Sequence, residues 1–550
     1  MVVRSARAGP AVEKGANIVA GLWLLLLAGL WGRAFGGMLL AQYPGPADPP
    51  IHFSHLAIDH QTKKIFAAGT NRLLQLDADL NLEHSVMTGP KNDSPSCHAS
   101  GCTDADVPLA LTDNHNKILL IEPESRTLIL CGSIFQGACY KYKLSNVSAE
   151  PDFIPRAIAA NDANASTYAY IGPKSYNLWG RSNILYVGTT FTNNGEYRHD
   201  VPAIASRDLD TLDIAEYSFS KQSHLSIDVK YRDHFIVQYV YGFNASDYAY
   251  FLIVQKQSHL PGQEEQGYVS RLSRTCINDA NYDSYTEVTL QCVDGDQKYN
   301  LVQDAKIATA GEELANSLGI TIGTAVLIAV FRPARGITNE PQPHSALCLY
   351  PLRDIEAKFI ENIHMCFNGS VKYRNMGYVS GLILDGKCPT SGSAGNIPNF
   401  CEVGLKISGA TPIVGTAALV FPNISLSAVS TASTGRHVLA FLGTTDGKLK
   451  KVLLSGPVPT EYEEVVVDEG NSILPDTTLS TSGDYLYVLS TSKVTYDFAN
   501  PQPRITCESF DNVGESHSLA LTAWPQPDHH GQNLQVGPNY NEIYVSSSRP

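Results

Sequence analysis

The stretch HVLAFLGTTDGKLKKVLL, from His437 to Leu454, contains the pattern that decides the fold: a short apolar run, a small residue with threonine, and a second run. The same phrase recurs as KIFAAGTNRLLQLD from Lys64, NILYVGTT from Asn183 and YLYVLSTSKVTY from Tyr485. Each apolar run is too short for a buried helix and rich in strand-forming residues, which predicts a strand, a tight bend and a second strand. Recurring hairpins are typical of a β-propeller, whose blades bury their faces only against neighbouring blades. The pattern predicts a binding platform and not an enzyme.

Composition narrows the class of protein. A propeller can account for most of the 550 residues as one unit. The formal net charge of −14 argues against a nucleic-acid partner, because neutralising phosphates requires a basic surface. Solubility is the simplest explanation of that charge.

The N-terminal segment predicts export. Residues 1–41 are interpreted as a signal peptide, because Arg4, Arg7 and Lys14 precede the apolar run IVAGLWLLLLAGLW. Fourteen apolar residues are short for a membrane span, and a signal anchor is the alternative. No later segment has the length of a span, so the sequence predicts an extracellular chain without an anchor.

Cysteines and glycosylation sequons agree with export. An oxidising compartment would pair most of the eleven cysteines, although the sequence alone leaves their connectivity open beyond two close, local pairs, Cys97/Cys102 and Cys131/Cys139. Six sequons predict N-glycans on exposed turns: Asn92, Asn146, Asn164, Asn244, Asn368 and Asn423.

Strand-like runs continue from Ile51 to about Tyr496, with one predicted interruption. AKIATAGEELANSLG, from Ala305 to Gly319, has helical spacing and predicts a short helix. With its flanks, about 275–345, it is expected to be an insertion in the propeller. Residues 498–550 are rich in Pro, Asn, His and Ser and predict a disordered tail.

Motifs that resemble catalytic or metal sites have simpler explanations. GTTDGKL, from Gly443, is one residue short of a phosphate loop and predicts a hairpin turn. STSK, from Ser490, matches a lactamase motif without its partner motifs. CHASGC, from Cys97, could form a metal knuckle with Asp104 and Asp106, but a disulfide is favoured in an exported chain. We expect no catalytic residue, cofactor or metal.

A set of ordered motifs resembles the sema domain of plexins, most closely the class A members. The motifs include FSHLAI from Phe53, CGSIFQGAC from Cys131, SALCLYPLR from Ser345 and GTTDGKLKKVLL from Gly443. The resemblance covers about residues 50–497 and implies an all-β, seven-bladed propeller with a partly helical extrusion, closed by a strand near Phe53–Ile58 in the last blade. It also implies five disulfides: Cys97–Cys102, Cys131–Cys139, Cys276–Cys401, Cys292–Cys348 and Cys366–Cys388.

The resemblance further implies a function. The sema domain of plexins is the extracellular ligand-recognition part of a semaphorin receptor, which acts in axon guidance and cell migration. It implies a semaphorin as protein partner, a co-receptor or plexin self-association as further contacts, and no small-molecule substrate. Family members bind through loops of the third and fourth blades, which would fall near 189–202 and 219–228. The candidate rim residues are Tyr197, Arg198, His199, Gln222, His224 and Leu225, a mixture typical of interface anchors.

One departure from the family concerns the C-terminal region. Plexins place a cysteine-rich module after the last blade, whereas this chain has only Cys507 there. We therefore expect a chain truncated before the transducing modules, in which Cys507 is a remnant of that module or cross-links two chains. The alternative functions are a soluble decoy or adhesion protein and a hydrolase on a propeller scaffold.

Overall fold

The structure is a computed structural model. It describes residues 40–102, 107–174, 182–195, 201–218, 221–380, 386–389, 400–454 and 458–499, with the backbone alone at 216–218, 221 and 403.

Seven four-stranded antiparallel units, called blades 1 to 7 here, follow one another through these residues. The chain begins with β1 (Ala41–Tyr43) and forms blade 1 from β2 (Phe53–Asp59), β3 (Lys64–Gly69), β4 (Arg72–Leu76) and β5 (Leu82–Met87). After the hairpin β6 (Lys91–Asp93)–β7 (Ala110–Thr112), blade 2 comprises β8 (Asn116–Glu122), β9 (Thr127–Gly132), β10 (Cys139–Lys143) and β11 (Asp152–Ile154). Blade 3 comprises β12 (Thr167–Pro173), β13 (Asn183–Thr189), β14 (Ile204–Arg207) and β17 (His224–Leu225), with the hairpin β15 (Glu216–Ser218)–β16 (Lys221–Gln222) before its last strand.

Blades 4 and 5 are joined into one sheet. Blade 4 comprises β18 (Gln238–Ala245), β19 (Tyr248–Lys256), β20 (Tyr268–Cys276) and β21 (Thr286–Asp294), to which β22 (Gln297–Tyr299) adds. Blade 5 comprises β23 (Leu301–Thr309), β24 (Ala325–Arg332), β25 (Ser345–Pro351) and β27 (Ile413–Phe421). Strands β27 and β26 (Ile407–Ser408) pair with β21 in parallel, so the outer edges of the two blades share hydrogen bonds.

Blades 6 and 7 complete the ring, and in the described part of the chain four helices lie between strands. Blade 6 comprises β28 (Leu426–Ser433), β29 (Val438–Thr444), β30 (Lys448–Leu453) and β31 (Thr460–Val466), and blade 7 comprises β32 (Thr478–Leu479), β33 (Tyr485–Leu489), β34 (Val494–Phe498) and β1. The helices are α1 (Val229–Arg232), α2 (Glu312–Leu318), α3 (Leu352–Phe367) and α4 (Phe400–Val403), and a 3₁₀ turn spans Glu264–Gln266.

The core lies between blades and not within one central mass. Each of the seven pairs of adjacent blades encloses its own buried apolar cluster, including the pair formed by blades 7 and 1, where Ile65 packs in one cluster with Leu489. The first apolar runs of the four repeated phrases form the second strands of blades 1, 3, 6 and 7, which are buried on both faces. Because each face needs a neighbouring blade, burial itself favours closure of the ring.

The glycine in the repeated phrase allows close approach. A Cβ on Gly69 would lie 2.1 Å from the carbonyl oxygen of His52, and one on Gly188 would lie 2.2 Å from the ring of Tyr239 in the next blade. Any other residue at either position would force the packed elements apart.

The ring closes with a different strand from the one expected. β1 pairs with β34 in the register Ala41 to Tyr496 and Tyr43 to Val494, and the amide of Leu40 donates to Tyr496. Phe53–Ile58 instead begins blade 1 by pairing with β3. The resemblance implied a closing strand near Phe53–Ile58, whereas three residues, AQY, are too short to give a periodic signal of their own.

The expected end of the signal peptide and the expected end of the propeller both fall within blade 7. The signal peptide was expected over 1–41, but Leu40 and Ala41 contact β34; the propeller was expected to end at 497, but β34 ends at Phe498. The tail after Ala499 lies outside the described residues, as do residues 1–39 and Cys507.

The insertion also differs from the expectation. Residues 275–345 supply blade strands β21, β23 and β24 instead of an insertion, and Ala305–Gly319 is helical only from Glu312 onward. The insertion occupies 352–412, between the third and fourth strands of blade 5, and contains α3, α4 and β26. Pairing of β23 with β24 outweighs the helix propensity of its Ala and Lys residues.

Five disulfides connect these elements, and they are the pairs that the resemblance implies. Two are local, Cys97–Cys102 and Cys131–Cys139. Cys292–Cys348 joins blade 4 to blade 5, Cys366–Cys388 lies within the insertion, and Cys276–Cys401 joins the end of β20 to α4.

Candidate binding edge of blade 3

Both stretches expected to form the binding rim belong to blade 3, whereas the third and fourth blades were expected. The stretch 189–202 connects β13 to β14, and 219–228 contains β16 and β17. Tyr197, Arg198 and His199 lie outside the described residues. Gln222 lies in β16 and is exposed, which fits a contact residue.

Leu225 does not fit a contact residue. Only 5% of it is exposed, because it packs against Tyr170, Tyr239 and their neighbours in the cluster between blades 3 and 4. Its place in β17, opposite Ile204 in β14, turns the side chain inward. The expectation that Leu225 anchors a ligand is therefore wrong: its apolar character serves the core.

His224, the neighbouring residue, is half-buried and pairs with Ala205. Burial and the nearby Arg207 guanidinium lower the pKa of this imidazole, although a backbone hydrogen bond at Gln222 opposes them. At neutral pH the edge therefore presents a neutral ring at this position.

A polar cleft of about 680 Å³ opens where blades 2 and 3 meet, and Gln222 lies on its wall. Arg156 and Asp213 face each other there, with Nε 2.5 Å from Oδ1. Lys174 contributes a second cation to the lining. The carboxylate of Asp208 accepts hydrogen bonds from the amides of Asp210 and Thr211 and therefore stabilises the turn that contains it.

Arg207 lies in the same lining but is buried, with 4% exposed. Its Nη1 donates to the carbonyl of Leu212 at 2.9 Å and its Nη2 to the carbonyl of Ala157 at 3.1 Å. Burial lowers the pKa of this guanidinium to about 10, while Asp213 raises it and Arg156 lowers it. The residue is still a cation at neutral pH, held beside the cleft by neutral acceptors. The sequence alone does not identify this residue, because ASRDLD carries no signal that distinguishes a buried arginine.

Charged groups also lie on the inner strands, where a hydrolase on this scaffold would need its site. Asp304 accepts from the amides of Val429 and Ala305, at 2.7 and 2.8 Å, and burial raises its pKa to about 7. Burial opposes charge on Lys306, but Asp304, Tyr241 and Asp476 outweigh it and raise the lysine pKa. These groups connect neighbouring blades.

The disulfide Cys97–Cys102 removes both thiols of the alternative metal knuckle, and Asp104 and Asp106 lie outside the described residues. Within the described part of the chain, no group of three or more His, Cys, Asp or Glu residues could hold a metal. No helix in that part is long and apolar enough to cross a membrane.

The predicted glycosylation sites are accessible. Asn92, Asn164, Asn368 and Asn423 are exposed, whereas Asn146 and Asn244 are partly exposed. Glycans at these positions remain a prediction.

A family model described as "Sema domain" matches residues 302–480. Among curated proteins, human Plexin-A2 is 28% identical over 488 residues, covering 84% of this chain and 25% of that protein. Plexin-A4 of Danio rerio is 30% identical over 505 residues, covering 84% of this chain and 25% of that protein. The chain thus spans about a quarter of the length of these relatives.

Among solved structures, the extracellular region of plexin A4 matches with a TM-score of 0.72 and 26% identity, covering 84% of this chain and 40% of that chain. Drosophila Semaphorin 2a matches with a TM-score of 0.56 and 13% identity, covering 84% and 76%. Drosophila Plexin A in complex with Semaphorin 1b matches with 0.51 and 16%, covering 84% and 88%. The last two likenesses concern the fold alone.

Proposed function

The chain carries a sema propeller that resembles those of plexins and is not an enzyme, and on that premise we propose that it is the extracellular, ligand-binding part of a semaphorin receptor. The observation that carries the proposal is the match to the plexin A4 extracellular region over 84% of this chain. Five disulfides and accessible sequons favour an oxidising, extracellular setting.

The proposed ligand is the sema domain of a semaphorin. One structure that shares this fold holds Drosophila Plexin A in complex with Semaphorin 1b, which makes a semaphorin the first partner to test. The proposed contact surface is the edge of blade 3, where Gln222 is exposed and His224 half-buried. Leu225 supports this edge from within. A few anchors would dominate the affinity, and a dimeric ligand would add avidity.

Binding to a panel of purified semaphorin ectodomains, measured by surface plasmon resonance, tests the function. We expect at least one semaphorin to bind the immobilised chain saturably. Binding to none of them would reject the proposal. Self-association without semaphorin binding would instead favour the adhesion alternative.

An introduced N-glycan, called a glycan wedge here, tests separately whether the edge of blade 3 is the contact surface. Gln222→Asn with His224→Thr creates a sequon on blade 3, whose glycan would keep a protein partner away. The matched control, Gly295→Asn with Gln297→Thr, places a sequon in the turn between β21 and β22, where Gly295 has φ +55° and open space around it. We expect the blade 3 wedge to abolish binding and the control to preserve it. Equal binding by both variants would reject the edge of blade 3 as the contact surface but would not contradict the proposed receptor function.

A further inference from the structure

We propose that the cleft between blades 2 and 3 receives an acidic side chain of the protein ligand, with Arg207 as its buried cationic partner. This inference rests on the proposed function and specifies the chemistry of recognition at one site. It concerns residues that neither the motifs nor the comparisons single out.

Charged residues of both signs line the cleft. Three cations, Arg156, Lys174 and Arg207, line the cleft with two carboxylates, Asp208 and Asp213. Asp213 pairs with Arg156, and Asp208 accepts from turn amides. Among the described residues no carboxylate oxygen lies within 4.0 Å of Arg207, whose two assigned hydrogen bonds go to carbonyl oxygens. Among the described lining residues, the cations outnumber the carboxylates by three to two.

The guanidinium of Arg207 is only partly hydrogen-bonded. Its Nε is buried and has no hydrogen-bond partner in the structure. A buried cation without a counter-ion is costly, and an anion brought into the same low-dielectric site lowers that cost. A carboxylate in the cleft would supply that charge.

Disulfide-closed loops form part of the cleft walls. His98 and Ala99 line the cleft from within the loop closed by Cys97–Cys102. Gln136 lines it from within the loop closed by Cys131–Cys139, and its amide donates to the carbonyl of Pro95 at 2.9 Å. Walls built on two disulfide-closed loops leave little conformational entropy to lose on binding.

The charge distribution favours a single carboxylate over a polyanion such as a sulfated glycan. Asp208 and Asp213 line the same cleft and would repel a run of negative groups, and the whole chain has a formal net charge of −14. A single Asp or Glu side chain can reach the cations with less repulsion from this negative charge.

Charge reversal in the cleft tests the inference by surface plasmon resonance with the semaphorin that binds the unmodified chain. Lys174→Glu and Gln222→Glu each place a carboxylate in the lining, and we expect each to weaken binding by about tenfold or more. The control matched to Lys174→Glu is Lys143→Glu, the same charge change at an exposed position of β10 that does not line the cleft. We expect the control to stay within about twofold of the unmodified chain.

A second pair of variants separates charge from folding. Arg207→Lys keeps the positive charge and Arg207→Gln removes it, while both lose the guanidinium that holds Leu212 and Ala157. If both melt alike, we expect the glutamine variant to bind about tenfold more weakly than the lysine variant. Equal binding by these two variants would overturn the proposed role of the cleft, and so would unchanged binding by Lys174→Glu and Gln222→Glu. Neither result would contradict the proposed receptor function. Failure of the unmodified chain to bind any semaphorin would overturn both.

Discussion

The guanidinium of Arg271 lies 3.1 Å from the carboxylate of Glu287, and both side chains are buried between blade 4 and the insertion. The hydroxyls of Tyr285 and Tyr378 also donate to Glu287, and Arg271 donates to Ser408 of β26. The pair thus attaches the insertion to the propeller through a network of buried polar contacts.

Glu287→Gln is expected to destabilise the chain by about 3–5 kcal/mol, because it leaves the Arg271 charge buried without a counter-ion. Chemical unfolding monitored by fluorescence measures the effect. The control is Glu361→Gln, which removes a surface ion pair with Lys358 and is expected to cost under about 1 kcal/mol. Similar losses from both variants would contradict the assigned role of the buried pair.

The bidentate pair between Arg126 and Asp59 predicts a pH dependence. Nη1 and Nη2 donate to the two carboxylate oxygens at 3.0 and 2.6 Å, which joins blade 2 to blade 1. Burial opposes ionisation of Asp59, but hydrogen bonds from Arg126, Thr62 and the Gln61 amide outweigh it and lower its pKa.

Because the folded pKa of Asp59 lies below the unfolded value of about 3.9, the stabilisation is complete above that pH and disappears as the pH falls through the folded pKa. Arg126→Ala should therefore reduce stability most at neutral pH and progressively less in acid. Melting curves between pH 7 and pH 2 for both chains measure this difference. A constant difference across that range would exclude the carboxylate as its source.

Loss of the Cys276–Cys401 disulfide should be the most costly single disulfide deletion, since its cysteines are 125 residues apart, against 5 for Cys97–Cys102. In the chain-entropy model, replacing both cysteines with serine would cost about 4–5 kcal/mol for the long loop and clearly less for the short one. Denaturant midpoints of the two double variants give the comparison, and a reversed order would contradict the model.

Leu225→Asp is expected to prevent folding or strongly destabilise the chain, because it places an unpaired carboxylate in the core between blades 3 and 4. Secretion yield and thermal melting measure the effect. Gln222→Asp, three residues earlier on an exposed site, should leave both nearly unchanged. Normal secretion of the Leu225 variant would show that its side chain is not part of the core.

Removal of β1 is expected to open the ring. A chain that starts after Tyr43 would leave β34 with an unpaired edge, and exposed edges associate with other chains. We expect oligomers in size-exclusion chromatography and a lower melting temperature. A monodisperse monomer of unchanged stability would show that closure relies on the apolar cluster between blades 1 and 7 alone.

Sequence reasoning identified the elements whose information is local. The second strands of four blades were predicted because both of their faces are buried, which produces uninterrupted apolar runs such as VLAFLG at Val438. The disulfide pairs came from the resemblance, since spacing alone cannot give a bridge such as Cys276–Cys401.

The errors concern information that is not local. β1 is recognised only through its register with β34, and β23 contains helix formers that strand pairing overrides. Leu225 and Arg207 show the same limit at the site: an apolar residue expected at the surface is buried, and an arginine that the sequence does not single out is enclosed. Burial of both depends on blades that are distant in sequence.

The parallel pairing of β21 with β27 has a mechanical consequence. It joins blades 4 and 5 into a single stiff sector, because strand hydrogen bonds make them one sheet, whereas the other blades form separate sheets in the described part of the chain. Any distortion of the ring under load should then concentrate at the softer joints, one of which opens as the cleft beside Arg207. We expect a force on the bound partner to distort the boundary between blades 2 and 3 before it distorts the joined sheet of blades 4 and 5.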